Sequence, residues 1–208
     1  MKHLLFILLV FTLHSSLFTR ASSAFQLPDT GQTKCYEAVS PWAEIPCAGT
    51  GQDGAYSINP MSYTDNGNGT VTDNNTGLMW QKCSVGQNND ASCSGTAAAY
   101  NWYRASGTYD ATNNPSSQNI CGSLSLGGFN GWRLPTIEEL GDIVDYSRPL
   151  PGPTIVGAFF PNTVASNYWS STADAYYPGH AWHVYFDGGY VDISGKGGSL
   201  YVRCVRGG

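Results

Sequence analysis

Apolar and polar positions alternate with the period of a strand through most of the C-terminal third of the chain, and follow a helical period in only two short stretches. Residues 181–187 and 190–196 flank Gly188-Gly189, which predicts a hairpin with a two-residue glycine turn. Pairing across that turn sets Phe186 opposite Val191 and Val184 opposite Ile193, with Trp182 on the same face. Asp187, Tyr190, Tyr185, Asp192, His183 and Ser194 share the other face, so one face reads as core and the other as polar-aromatic. Residues 168–172 predict a short strand, and 200–206 a last one whose alternation turns Leu200, Val202 and Cys204 inward. Upstream, 63–73 has two β-prone ends around an Asn/Gly turn, and 74–77 turns into 78–81, which predicts a short meander.

The clearer helical stretch follows Gly127-Gly128-Phe129-Asn130-Gly131-Trp132-Arg133-Leu134-Pro135. Thr136 and Glu139 have the spacing of a capping box, and Ile137, Leu140, Ile143 and Val144 recur on one face, so a helix is predicted over 136–145. Arg133 is suited to fixing the turn before that helix by bonding local carbonyls, and Trp132, Trp169 and Trp80 read as core. An alanine-rich run predicts a second helix over 96–105. Residues 106–119 read as a polar surface insertion, and prolines from 149 onward open a long excursion anchored by Phe159 and Phe160. Residues 25–60 have little periodicity and read as an irregular leader.

The first 24 residues change the picture. Lys2 and His3, an apolar run from Leu4 to Leu13 and a small-residue end at Ser22-Ser23-Ala24 predict a cleaved export signal, the run being too short to span a bilayer. Its removal leaves a mature chain with a net charge of about −7, which opposes broad binding to nucleic acid or sulfated polymers. Six cysteines in an exported chain predict disulfides, and spacing alone allows 15 connectivities. Cheap local closure favours Cys35 with Cys47 and Cys83 with Cys93, leaving Cys121 with Cys204. No Cys-x-x-Cys pair argues for zinc, and the Asp/Asn/Gly run at 65–73 lacks the spacing and distal Glu of a calcium loop, so neither metal nor cofactor is predicted.

Several segments carry a resemblance in the order 70–82, 124–136 with Glu139-Leu140, 168–172 and 202–206. They read Thr-Val-Thr-Asp-Asn-Asn-Thr-Gly-Leu-Met-Trp-Gln-Lys, then Leu-Ser-Leu-Gly-Gly leading to Gly131-Trp132-Arg133-Leu134-Pro135-Thr136, Tyr-Trp-Ser-Ser-Thr, and Val-Arg-Cys-Val-Arg. Together they resemble the C-terminal domain family of Legionella collagen-like (Lcl) proteins, long catalogued as a domain of unknown function. The resemblance implies an α+β, C-type-lectin-like domain over 61–208, with two helices on one side of small antiparallel sheets, disulfide staples and long irregular loops. It also implies an adhesin module, which in the named member binds sulfated glycans as a trimer. Two features depart from that role: this chain has no Gly-X-Y collagen segment, and its mature charge is acidic.

The candidate ligand surface lies forty residues past the Trp-Arg pair. Asp174, Tyr176, Tyr177 and His180 occupy one loop, and His183 and Tyr185 the following strand; rings beside a carboxylate and an imidazole suit a sugar. The competing reading has the same tyrosines covering the sheet. Arg133, Arg203 and Arg206 could form a local basic patch. His180 and His183 fall on opposite faces of a strand, so a two-histidine metal site is not predicted. The Arg-Leu-Pro-Thr approach to a helix also resembles formylglycine-generating enzymes, but their cysteine pair is missing and Cys204 is spoken for. No catalytic residue is assigned. The expectation is a secreted, non-catalytic domain, outside the membrane after signal cleavage, that recognises a glycan or an extracellular protein, with homo-oligomers possible; the alternative is an assembly subunit of a surface appendage.

Overall fold

A computed structural model describes residues 26–207, so the export signal expected at 1–24 lies outside the described residues. The leader supplies β1 (Cys35–Tyr36) and β2 (Glu44–Ile45), paired antiparallel, then a 3-10 turn at Asp53–Ala55. The chain continues through β3 (Tyr63–Asp65), β4 (Thr70–Asp73), β5 (Met79–Gln81), β6 (Ala99–Asn101) and α1 (Trp102–Ser106). It closes with α2 (Ile137–Gly141), β7 (Asn167–Ala173), β8 (His180–Tyr185), β9 (Tyr190–Gly195), β10 (Ser199–Tyr201) and β11 (Val205–Arg206). Besides the two-stranded β1-β2 pair, the described residues form a five-stranded sheet of order β6-β10-β7-β8-β9 and a four-stranded one of order β11-β5-β4-β3, with disulfides Cys35–Cys47, Cys83–Cys93 and Cys121–Cys204. The architecture is α+β. The large sheet is mixed, because β10 inserts parallel to β7 with Tyr201 beside Tyr168, whereas purely antiparallel sheets were expected.

Pleating explains how β7 organises the core. Adjacent residues on a strand point to opposite faces, and Tyr168 and Trp169 are both fully buried. On one side Tyr168 joins Val184, Phe186 and Leu140 of α2; on the other, Trp169 joins Ala181, Trp132, Cys204 and Trp102 of α1. The large sheet is therefore covered on both faces, and the helices contribute to different sides rather than sharing one. Phe159 and Phe160 anchor the proline-rich excursion by packing on Tyr63, each with ring centroids 5.4 Å away.

Four elements differ from their sequence expectation. The helix predicted over 136–145 stops at Gly141, because Asp145 gives its N–H to Thr154 O and bends the chain; Ile143 and Val144 still enter the core. The helix predicted over 96–105 begins only at Trp102, since Ala99–Asn101 pairs with β10 and Asn101 caps α1 through Arg104 N, so tertiary pairing overrides alanine's helix propensity. The hairpin pairs Tyr185 with Tyr190 and Val184 with Val191, which makes the turn four residues long. Phe186 is drawn out of the ladder, its N–H to Ser166 O and its carbonyl to Thr154. The two-residue slip preserves which side chains share a face, but not the assignment of that face as core, since Val191 is exposed on an edge strand. Finally, 200–206 is not one strand. It crosses from the large sheet to the small one, and Val202, Arg203, Cys204 and Val205 are buried in succession.

Candidate functional site

The chain leaves β7 through a turn that Asp174 builds. Its Oδ1 accepts the backbone N–H groups of Tyr176 and Tyr177 at 2.7 and 2.6 Å, while Asp174 N donates to His180 O and His180 N to Tyr177 O. Asp side chains bond the backbone two and three residues ahead more readily than most, so the turn is local chemistry. Asp174 is itself buried, and its Oδ1 is engaged within the turn. With the backbone tied inward, the two rings point outward: Tyr176 is 82% exposed and Tyr177 52%, in a T-shaped pair with centroids 4.7 Å apart. The His180 ring sits 5.7 Å from Tyr177.

Lys196 braces this turn from behind. Its N–H donates to Gly179 O and its Nζ to Pro178 O, both at 2.8 Å, and the Nζ lies 4.3 Å from the centroid of Trp102. Trp102 is fixed in turn by its Nε1 bond to Ser170 O. Sequence reasoning missed this brace: a buried lysine stacked on an aromatic leaves no local signature, and Lys196 and Trp102 lie far apart along the chain.

The remaining predicted ligand residues are not brought to this turn. His183 is buried against Trp169, 6.2 Å between centroids, and burial holds its imidazole below the usual range although Asp192 opposes the shift. Tyr185 stands at the far end of β8, where its hydroxyl donates to Asp187 Oδ2 at 3.2 Å and its ring leans on Tyr190 at 5.0 Å. Among the described residues no group of three or more His, Cys, Asp or Glu is arranged to hold a metal ion.

The arginines divide. Arg203, a candidate for a basic patch, is fully buried and donates to the carbonyls of Gln81 and Lys82 and to Ser84 and Thr163; burial brings it down to about 10. Arg133 forms a two-point pair with Glu139, and Arg206 lies over Phe129, 4.5 Å from the ring centroid. Arg203 is therefore no part of a surface patch, whereas Arg133 stays beside the last strand, bonded to Val205 and Gly207 on either side of Arg206. Trp132 and Trp169 are core, their Nε1 atoms donating to Phe129 O and Tyr100 O.

Chemically, the turn offers two fixed phenol rings and an imidazole. Such a surface can stack on the apolar face of a sugar or grip a side chain, and the hydroxyls add hydrogen bonds. Hollows lie elsewhere: at Thr30, Gln32, Asp53 and Tyr146, where the leader meets the domain, next to it among leader residues around Tyr56, beside Arg104 and Gln118, and beside Asp65 and Lys82.

In comparison with known proteins, the family described as the Lcl C-terminal domain matches residues 69–206, about two thirds of the chain. No curated protein and no solved structure matches.

Proposed function

Because the chain belongs to the Lcl C-terminal domain family, we propose that it is an exported, non-catalytic, adhesin-type binding domain that recognises a glycan or a protein surface through Tyr176 and Tyr177. The observation that carries this is the exposed tyrosine pair held on a turn whose backbone is fixed by Asp174 and Lys196. Exposed rings on a mobile loop would have to be ordered on binding; here that ordering is already present, which favours affinity. Export is supported by three disulfides and no free cysteine among the described residues. No helix among them is long and apolar enough to cross a membrane. A C-type-lectin-like arrangement is part of the reading, supported by two small sheets, short helices and long loops joined by Cys121–Cys204.

A second reading, an assembly subunit of a surface appendage, rests on β9. It is an edge strand with Tyr190 and Val191 exposed, carrying one charge, Asp192, and neither Lys nor Pro. A formylglycine-generating-like enzyme stands lowest, since Cys204 is bonded to Cys121.

The test is binding of the intact chain to arrayed glycans and extracellular proteins, repeated with the Tyr176→Ala, Tyr177→Ala double variant. Loss of about tenfold or more in affinity with an unchanged melting temperature supports the turn as the site. Unchanged binding overturns it, and concentration-dependent oligomers that disappear on charging Val191 would favour assembly.

A further inference from the structure

We propose that the seam between leader and domain is a second binding site, for a neutral oligosaccharide. The leader is held along Tyr146: Tyr146 N donates to Thr30 O at 2.9 Å and Gln32 Nε2 to Tyr146 O at 3.2 Å. The Tyr146 hydroxyl donates to Gly189 O at 2.6 Å, which fixes the ring while leaving the residue 44% exposed. Gly189 permits this approach because it has a left-handed backbone, φ 76°, and a Cβ there would lie 2.9 Å from Val144 and 3.1 Å from the Tyr146 ring. Over Tyr146 lies a hollow of about 390 Å³ bounded by Thr30, Gln32 and Asp53.

Gln32 also borders a second hollow, of about 240 Å³, lined by Asp29, Tyr56 and Met61 among others. Tyr56 is 56% exposed. One carboxamide thus separates two hollows, each with a tyrosine ring and a carboxylate. The repeat offers two similar subsites, in which the C–H face of a sugar stacks on the ring and its hydroxyls bond to the carboxylate, while the Gln32 carboxamide between them is held by Thr33 N, Lys34 N and Tyr146 O. Asp29 and Asp53 line the hollows and no lysine or arginine does, which disfavours an acidic or sulfated sugar and leaves the neutral ones. Thr30, Gln32, Asp53 and Tyr56 precede the family match at 69, so the site draws all its named lining residues but Tyr146 and Met61 from the leader, and Tyr146 alone from the matched region. It does not rest on the tyrosine turn and stands if that reading fails.

Saturation-transfer NMR on the intact, disulfide-bonded chain, with neutral tetrasaccharides of glucose, mannose, galactose and N-acetylglucosamine at millimolar concentration, tests it. A sulfated tetrasaccharide and a short acetylated peptide serve as competitors. The expected result is transfer to at least one neutral sugar that persists in the Tyr176→Ala, Tyr177→Ala background, which removes any contribution of the turn, and is weakened there about tenfold or more by Tyr56→Ala and by Tyr146→Ala. Tyr146→Phe, which keeps the ring, retains binding; should Tyr146→Ala fail to fold, Tyr56→Ala and Gln32→Ala, both near the surface, decide. No transfer to any neutral sugar overturns the proposal. So does transfer insensitive to Tyr56→Ala, loss only in the Tyr176/Tyr177 variant, which returns the sugar to the turn, or displacement by the peptide or the sulfated sugar alone.

Discussion

Arg133 grips Glu139 at two points, Nη1 to Oε2 at 2.7 Å and Nη2 to Oε1 at 2.6 Å, while the same carboxylate accepts Thr136 N at 2.8 Å. Arg133 also exchanges both backbone hydrogen bonds with Val205 of β11. One residue therefore joins the cap of α2 to the last strand of the small sheet.

Removing either partner should loosen that joint. Glu139→Ala should cost about 1–2 kcal/mol by losing cap and pair together, and Glu139→Gln about half as much, since the amide oxygen still accepts from Thr136 N. Burial, the largest single influence, pushes the Glu139 carboxyl up, but the Arg133 hydrogen bonds, the Thr136 N–H and the Arg133 charge together outweigh it and the net shift is downward. A lowered carboxylate stabilises the fold above its unfolded pKa of about 4.3 and loses that stabilisation as pH falls. Urea unfolding between about pH 5 and 3 should show wild type losing stability there and Glu139→Gln losing less. Equal slopes would remove the ion pair from the account.

How much of this was legible depends on the range of the interaction. The capping box of Thr136 and Glu139, the meander of β3 to β5 and the strand β7 are written in residues a few positions apart, and the sequence reading reached them. The hairpin register was not, because Phe186 is extracted from the ladder by Ser166 and Thr154, which lie 20 and 32 residues upstream. The same limit hid the bend at Asp145, the sheet change at Val202 to Cys204 and the brace of Lys196 on Trp102. At the candidate site, Tyr176 and Tyr177 were visible as aromatic text, but their orientation follows from Asp174 and Lys196, and the separation of His183 and Tyr185 follows from the strand that carries them.

Asp142 should destabilise the fold at neutral pH. Burial, followed by the charges of Asp73, Glu139 and Glu138, raises its carboxyl to about 6. A raised carboxylate binds protons more tightly in the folded state, so stability falls as pH rises from about 4 to 6. Asp142 is only half buried, and after allowance for solvent screening Asp142→Asn should stabilise by about 1 kcal/mol at pH 7.5 and by nothing below about pH 4. Thermal denaturation at both values checks this, and a stabilisation independent of pH would point to something other than charge.

Arg203 should be among the least replaceable side chains. No carboxylate is among its hydrogen-bond partners; instead it saturates two carbonyls and two hydroxyls and lies over Phe160, 5.0 Å from the ring centroid. Arg203→Ala leaves the carbonyls of Gln81 and Lys82 buried without that donor and opens a cavity, at a cost of about 3 kcal/mol or more. Arg206→Ala, which loses a more exposed contact with Phe129, should cost less than about 1 kcal/mol. Urea midpoints of the two variants discriminate buried scaffold from surface contact, and comparable costs would contradict the burial argument.

Lys196 provides the sharpest separation of scaffold from site. Lys196→Met keeps the stem, and the backbone bond to Gly179 O survives, but the Nζ bond to Pro178 O and the contact with Trp102 are lost. The loss should lower stability by about 1–2 kcal/mol. Its local effect should be larger: the amides of Tyr177 and His180, closed by Asp174 Oδ1 and Tyr177 O, should exchange with solvent faster while those of β7 change only with global stability. If the tyrosine turn binds because it is held in place, ligand affinity should drop several-fold although neither ring is altered, and sugar contact at Tyr146 and Tyr56 should be untouched. Hydrogen exchange and binding measured on the same variant settle the order of cause. Faster exchange without loss of affinity would mean that the rings, and not their bracing, carry recognition.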